Sequence, residues 1–221
     1  MNRITFVVPL RALVVLTILL APRAAAAEGP GPDLRSMLSR SLDQWDYDAL
    51  AAHGPEAMPI LIELYREAGT DRRTAIAHAF YRLGLRSEEA KELLMADAKS
   101  LDEDLRIAAQ YALGRVSDDP AIVDLLVDNL QTGFNPLVRD KAACGLAYDQ
   151  IHLDDRQKAR LFRKMIELLD SPNQETRWLA IRVLQVHTGQ LKGFFPQWPE
   201  ERRVAAVERW KRWIEEYEAN L

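Results

Sequence analysis

Few residues of this chain could do chemistry: four histidines, one cysteine and a small number of paired carboxylates. A metal site built on helices needs ligands three or four positions apart, because those spacings place two side chains on one helical face. No histidine lies three or four places from a second one, and none is followed by a glutamate. We therefore expect no metal and no cofactor. The four histidines are His53, His78, His152 and His187.

Covalent and acid–base catalysis find little support in the sequence. The pairs Asp154–Asp155 and Glu88–Glu89 each stand where a helix is predicted to begin, and there a carboxylate stabilises the helix dipole. Neither Gly-x-Ser-x-Gly, a phosphate-binding loop nor Gly-x-Gly-x-x-Gly occurs. Cys144 is the only cysteine, so the chain has no intrachain disulfide and no Cys-x-x-Cys motif. These observations favour a protein that is not an enzyme.

The elements that would position any site follow from a repeated pattern of arginine and small or apolar residues. Four arginines, Arg73, Arg106, Arg139 and Arg177, are spaced 33, 33 and 38 residues apart (106−73, 139−106, 177−139). A period of this length is typical of solenoids, in which each helical hairpin buries its apolar side against its neighbours. The small or apolar residues that follow the four arginines are Ile76, Ala77, Ala79, Phe80; Ala108, Ala109, Ala112, Leu113; Ala142, Ala143, Gly145, Leu146; Ala180, Ile181, Val183 and Leu184.

Each unit is predicted to contain an opening and a closing helix. Asn135–Pro136 and Asp119–Pro120 each place a capping side chain before a proline at the first helical position, where its missing N–H costs nothing. Pro59 would remove a bond inside a helix, so we expect that helix to kink or to begin near Met58. The opening helices are predicted at 55–67, 88–99, 120–130 and 155–169, and the closing helices at 72–83, 104–115, 136–148 and 175–187.

Four segments of the repeated region resemble HEAT repeats, particularly the bacterial HEAT-like type. In that family a polar turn precedes a helix that begins Val-Arg and continues with alanines; Val138–Arg139 and Leu105–Arg106 match this opening, whereas Thr176–Arg177 departs from it at the first residue. The resemblance implies an all-α fold: a right-handed α-α superhelix of four to five helical hairpins with a C-terminal capping helix. The four segments are HGPEAMPILIELY (53–65), DEDLRIAAQYALG (102–114), NPLVRDKAACGLA (135–147) and DSPNQETRWLAIRVL (170–184).

The resemblance also implies a structural role for the repeat arginines Arg73, Arg106, Arg139 and Arg177. They are expected to bond turn carbonyls or turn acids of adjacent units. A guanidinium offers several donors, which suits a turn whose carbonyls lack partners. The turn acids expected to take part are Asp71, Asp104 and Asp170.

A binding surface is predicted on the closing helices, which line the concave face in this family. Positions one and five residues after each repeat arginine point away from the packed side on a helical wheel. These positions include large aromatic and basic residues, types that are enriched at interaction hot spots. The candidate binding residues are His78, Ile107, Tyr111, Asp140, Trp178 and Arg182, with Thr74 and Cys144 at the remaining positions. Burial of Ile107 and Cys144 by neighbouring repeats, and of Trp178 by the C-terminal helix, is the alternative.

The beginning of the chain has the features of a secretory signal. Residues 1–27 combine basic residues, a ten-residue apolar run at Ala12–Ala21 and an alanine-rich exit, and the run is too short to span a bilayer. Its removal leaves 26 basic and 33 acidic residues, a net charge of −7 (26−33), which disfavours a nucleic-acid partner. We expect an exported, periplasmic or secreted monomer. After the signal, we expect a linker and N-terminal capping helix at 28–53 and HEAT-like repeats at 54–188.

Residues 189–221 are predicted to form an aromatic loop and a last helix. Val207, Trp210, Ile214 and Tyr217 fall at helical spacing, so the helix either caps the final repeat or binds a membrane or partner. Interspersed glutamates weaken the membrane interpretation. The sequence therefore favours an exported, non-enzymatic scaffold that binds a protein or peptide on its concave face. The alternative is an enzyme, or a small-ligand or metal-binding protein, with a site assembled across repeats around His78 and Asp140.

Overall fold

The computed structural model describes residues 32–221, and this part of the chain is all-helical, with no strand. The predicted signal segment, and the linker that follows it, lie outside the described residues. A short 3-10 turn at Gly54–Glu56 precedes the third helix. The helices are α1 (Pro32–Asp43), α2 (Tyr47–Ala51), α3 (Ala57–Glu67), α4 (Thr70–Leu83), α5 (Glu88–Asp97), α6 (Glu103–Val116), α7 (Pro120–Thr132), α8 (Pro136–Tyr148), α9 (Asp155–Leu168), α10 (Gln174–Thr188) and α11 (Glu200–Ala219).

Helix starts follow the capping side chains identified in the sequence. Ser87, Asp119 and Asn135 each accept a hydrogen bond from a backbone N–H in the first turn of the helix that follows. Asp154 and Gln157 form a complete capping box at the start of α9. Because the 3-10 turn ends at Glu56, α3 begins next to Met58, and Pro59 lies in its first turn, where a proline costs little.

The closing helices pack against one another in chain order. Helix α4 packs against α6, α6 against α8, and α8 against α10, while α5, α7 and α9 pack against the closing helix that follows each of them. The sixteen small or apolar positions predicted to be buried are all buried. Alanine dominates these positions because helix axes can approach closely only where side chains are small. Between α6 and α8, an added Cβ on Gly145 would lie 3.0 Å from the Gln110 carbonyl oxygen.

The last helix extends the other row of helices. Helix α11 packs against α9, and α9 against α7. Trp210 and Ile214 of α11 are buried, as is Phe194 in the loop before it. This burial is the one expected of a helix that covers the end of the core. No helix of residues 32–221 is long and apolar enough to cross a membrane.

Two local features differ from the sequence-based expectation. Helix α2 is not predicted, because its five residues are too few to show a period. Gly69 is expected to stop the helix before it; α3 does end at Glu67, as predicted, but Gly69 is the N-cap of α4, with a negative φ of −74°, and is not a left-handed helix stop. Gly84 and Gly189 do end helices, in the left-handed conformation that favours glycine.

Candidate functional site

The candidate binding residues lie at corresponding positions of four closing helices. We call the side chains His78 of α4, Ile107 and Tyr111 of α6, Asp140 and Cys144 of α8, and Trp178 and Arg182 of α10 the stripe. Six of these seven residues are partly buried, and the Trp178 side chain is exposed. Thr74, the eighth position, is buried and its hydroxyl donates to the Thr70 carbonyl of its own helix. Thr74, the position one residue after Arg73, therefore contributes no exposed surface for binding.

Contacts between α8 and α10 join Asp140, Cys144 and Arg182. Arg182 Nη1 donates to Asp140 Oδ1 at 2.8 Å, and Nη2 approaches the Asp140 carbonyl oxygen at 3.3 Å and Cys144 Sγ at 3.6 Å. Cys144 Sγ lies 3.9 Å from Asp140 Oδ2. Burial raises the pKa of the Cys144 thiol, with Arg182 acting in the opposite direction. The thiol is therefore protonated near neutral pH, which suits a packing role better than a nucleophilic one.

Tyr111 connects this group to α6. Burial raises the pKa of Tyr111, and the neighbouring Cys144, Asp149 and Asp140 act in the same direction. Its hydroxyl lies beside the Cys144 thiol, and its ring packs against Tyr81 of α4 with 6.3 Å between ring centroids. Tyr111 is therefore a neutral phenol that links side chains of three successive closing helices.

A buried carboxyl group beside the stripe was missed by the sequence analysis. Asp149, just after α8, is 4% exposed, and burial raises its pKa to about 6, against the opposing effects of the Tyr81 hydroxyl and of Arg115. Arg115 Nη1 lies 3.8 Å from Asp149 Oδ1, and its guanidinium stacks on the Tyr81 ring, 4.4 Å from the centroid. Extending the wheel by one more turn would have found Arg115. Asp149 lies beyond the helix, where the wheel does not apply.

His78 and Trp178, at the two ends of the stripe, differ in environment. His78 packs against the Tyr47 ring of α2, 5.9 Å between centroids, and burial lowers its pKa. Trp178 is 51% exposed, so the C-terminal helix does not cover it. The stripe thus begins at a neutral, partly covered imidazole and ends at an indole that is free to contact a partner.

Two of the other histidines, His152 and His187, bond to carbonyl groups at helix ends. His187 of α10 bonds through Nε2 to the Leu146 carbonyl of α8 at 2.9 Å, and burial lowers the His187 pKa. His152 bonds in the same way to the Arg115 carbonyl at the end of α6. A carbonyl accepts a hydrogen bond, so each Nε2 carries the proton. Within residues 32–221, no group of three or more His, Cys, Asp or Glu side chains is arranged to hold a metal ion.

The repeat arginines bond turns and helix ends, but not through the acids expected. Arg177 donates to the carbonyls of Ser171, Pro172 and Pro196, and Arg139 to the carbonyl of Gly133. The predicted partners Asp71, Asp104 and Asp170 are exposed and, in the described part of the chain, do not pair with these arginines. Side chains of the adjacent unit take their place: Asp97 for Arg73, Asn129 for Arg106 and Glu175 for Arg139. These side chains lie at the end of an opening helix or in the first turn of the next closing helix, within easier reach of a guanidinium.

Known families and proteins offer little further guidance. No family model matches the chain, and no curated protein matches it. Among solved structures, the crystal structure of an engineered protein shares 17% sequence identity with this chain, with a TM-score of 0.49. The match covers 85% of this chain and 98% of that one.

Proposed function

We propose that this protein is an exported, non-enzymatic scaffold of HEAT-like repeats that binds a protein or peptide along the stripe. The proposal places residues 1–27 as a cleaved signal and the functional protein in the periplasm or the medium. It takes the successive packing of α4, α6, α8 and α10 as part of a right-handed α-α superhelix whose concave face carries the stripe.

The exposure of Trp178 is the observation that carries the binding proposal. An indole that is 51% exposed leaves a large apolar surface in water, and tryptophan is among the residues most enriched at interaction hot spots. Its neighbour along the helix, Arg182, is held by Asp140 and cannot easily turn to cover it. A partner that covers the indole would therefore gain apolar burial at little cost in side-chain ordering.

The contacts of the stripe favour binding over catalysis. The alternative is a catalytic or ligand site formed by His78 and Asp140 together. His78 packs against Tyr47, whereas Asp140 bonds to Arg182, so the two residues are held by different sets of contacts. The raised pKa values of Tyr111 and Cys144 keep both groups protonated, and neither is then a ready nucleophile or base. The stripe offers apolar and hydrogen-bonding surface, which is the chemistry that recognises a peptide.

Site-directed photo-crosslinking in the native compartment tests this proposal. A photoreactive residue in place of Trp178 should give one discrete adduct, and unlabelled wild-type protein added in excess should compete it away. Val204 is the control position, because it is an exposed apolar residue on α11, outside the stripe. If the two positions label the same set of proteins equally, the stripe is not the binding surface.

A second variant separates binding from folding. Tyr111→Phe removes the hydroxyl but keeps the ring that packs on Tyr81, so the fold is retained. If the stripe binds a partner, Trp178→Ala should abolish the adduct obtained from a photoreactive residue placed at Val186, an exposed position on the same helix. Tyr111→Phe is the control that keeps the ring packed on Tyr81 and leaves Trp178 in place, so it should retain that adduct. An unaltered adduct in the Trp178→Ala protein would contradict the proposal.

A further inference from the structure

A second feature lies between the loop after α10 and helix α11. It is an open cavity of about 480 Å³ that is separate from the stripe. Three of its lining side chains are cationic and one is a carboxylate. The lining residues are Lys192, Gly193, Arg209, Arg212, Trp213 and Glu216.

Two of the three cations, Arg209 and Lys192, are held at the cavity by contacts with the loop and with aromatic rings, and Arg212 lies beside Arg209 on the same helix. Arg209 Nε donates to the Lys192 carbonyl oxygen at 2.8 Å. The Lys192 ammonium lies 5.2 Å from the ring centroids of both Trp210 and Trp213. Arg209 and Arg212 are three positions apart on α11, so they lie on the same helical face. The three positive charges therefore line the same cavity, although like charges repel.

The cations of the cavity are not neutralised within the molecule. Within residues 32–221, Lys192, Arg209 and Arg212 form no salt bridge, and the Lys192 ammonium bonds instead to the neutral amide oxygen of Gln190. On the opposite side of the same helix, Lys211 pairs with Glu208 at 2.9 Å. Helix α11 thus pairs Lys211 on one side, whereas Arg209 and Arg212 of α11, together with Lys192 of the preceding loop, face the cavity with a single carboxylate, Glu216.

The loop conformation at the cavity is strained. Lys192 has φ of +45° and Gly193 has φ of +69°. A left-handed conformation is ordinary for glycine but costly for lysine, and such strain is often kept where it positions a functional group. Here the turn places the Lys192 ammonium over the tryptophan rings and its carbonyl oxygen against Arg209. An added Cβ on Gly193 would lie 3.0 Å from Arg209 Nη2, so the loop and the guanidinium are in close contact.

We propose that Lys192, Arg209 and Arg212 form a binding site for a phosphate group, with Trp213 as its apolar wall. A phosphate presents several unesterified oxygens and a charge near −2, which suits two guanidiniums and an ammonium better than a single carboxylate would. The group could belong to a soluble phosphate compound or to an anionic lipid. Both present unesterified phosphate oxygens to the same donors, although a lipid phosphodiester carries a charge of about −1 and a phosphate monoester a charge near −2. The site is independent of partner binding at the stripe.

Calorimetric titration with inorganic pyrophosphate, on the protein without its first 27 residues or as exported, tests the site. Wild-type protein should bind one pyrophosphate, and removing one charged donor should weaken binding about tenfold. The variants are Arg212→Gln and Lys192→Asn. Asparagine is chosen because it tolerates the left-handed backbone, so the loop keeps its shape.

The matched control is Lys211→Gln, which makes the same change in net charge one residue from Arg212 but outside the cavity. Its pyrophosphate affinity should equal that of wild type. A second arm measures sedimentation with vesicles of phosphatidylcholine containing phosphatidylglycerol. Binding of pyrophosphate identifies a soluble phosphate compound, and binding of vesicles alone identifies a lipid head group, provided that Arg212→Gln weakens it and Lys211→Gln does not. Absence of both, or equal weakening by Lys211→Gln, overturns the proposal.

Discussion

The Arg182 guanidinium of α10 donates to both the side-chain carboxylate and the main-chain carbonyl of Asp140 of α8. Nη1 lies 2.8 Å from Asp140 Oδ1, and Nη2 of the same guanidinium lies 3.3 Å from the Asp140 carbonyl oxygen. Each side chain is 36% exposed, so water screens the pair and its contribution to stability is small. The pair therefore serves chiefly to fix the position of Arg182 beside the exposed Trp178.

A double-mutant cycle on this pair should give a small coupling. With Asp140→Asn, Arg182→Gln and the double variant, the free energies of unfolding in urea should yield a coupling of about 0.5 kcal/mol, decreasing with added salt. A coupling of about 2 kcal/mol or more, independent of salt, would contradict the view that solvent screens the pair.

The stability contributed by Asp149 should depend on pH. Its pKa is raised to about 6 in the folded protein, above the ordinary value of 3.8. Between those values the folded state binds more protons than the unfolded state, so stability falls as the pH rises from about 4 to about 6. An asparagine at this position carries no such proton. The Asp149→Asn variant should therefore gain stability relative to wild type over that interval, by about 2 kcal/mol.

Urea unfolding of the two proteins at a series of pH values between about 4 and about 8 measures this difference. The pKa values of His78 and His187 are lowered by burial, so they reduce stability as the pH falls, but they do so in both proteins and cancel. Tyr81→Phe is a useful companion variant. It removes the hydroxyl that lowers the pKa of Asp149, so the decrease in stability should occur at higher pH. A pH-independent difference would show that Asp149 titrates normally.

The buried amide of Gln110 should make the protein less stable than an apolar residue would. Gln110 is 0% exposed, and neither its amide oxygen nor its amide nitrogen has a hydrogen-bond partner among the described residues. Methionine has nearly the same length and no polar group to satisfy. Gln110→Met should therefore raise the free energy of unfolding by about 1 kcal/mol, measured by urea denaturation.

Asn129 provides the contrast with Gln110, because it is also buried but both its amide nitrogen and its amide oxygen have hydrogen-bond partners. Its amide nitrogen donates to the Ala98 carbonyl, and its amide oxygen accepts from Arg106. Asn129→Leu should lower stability by about 2 kcal/mol, since it leaves a carbonyl and a guanidinium unpaired. If both substitutions change stability in the same direction, hydrogen bonding does not explain the difference between these two residues.

The sequence alone predicts most of the helices, because periodic burial and capping are local properties. The interval from Asn135 to Leu146 contains a cap, a proline and the small residues of one face, and each is found where expected. Helix α2 could not be predicted, because five residues are too few to show a helical period. The hydrogen-bond partners of the repeat arginines could not be predicted for another reason. A guanidinium reaches several ångströms, so a wheel does not decide whether it meets Asp104 or Asn129.

The helical wheel predicts which side chains of the stripe point away from the packed side, but not which residues they contact. The wheel places Trp178 and Arg182 away from the packed side, and both retain exposure. It does not reveal that Tyr47 of α2 would cover His78, nor that Asp149 would join the group from outside a helix. The cavity at α11 depends on the left-handed turn at Lys192, a conformation that the lysine itself does not favour and that no sequence pattern signals.

Gly114 of α6 offers a test in which local propensity and tertiary packing predict opposite results. In an exposed helix interior, changing glycine to alanine raises stability by about 1 kcal/mol. At Gly114 an added Cβ would lie 2.4 Å from Gln150 Nε2 and 2.6 Å from the Asp149 carbonyl oxygen. The latter is backbone, held by the turn that follows α8, and cannot move away without disturbing the contact between Asp149 and Arg115.

We therefore expect Gly114→Ala to lower the free energy of unfolding by about 2 kcal/mol, as overpacking does in a close-packed interior. A double variant with Gln150→Gly removes the side chain but not the carbonyl, so it should recover only part of the loss. Urea denaturation measures both. Because the obstacle is the backbone of the next unit, Gly114→Ala should also shift the pH dependence attributed to Asp149. An alanine that stabilises the protein would mean that α6 is not in close contact with the turn after α8 at this position.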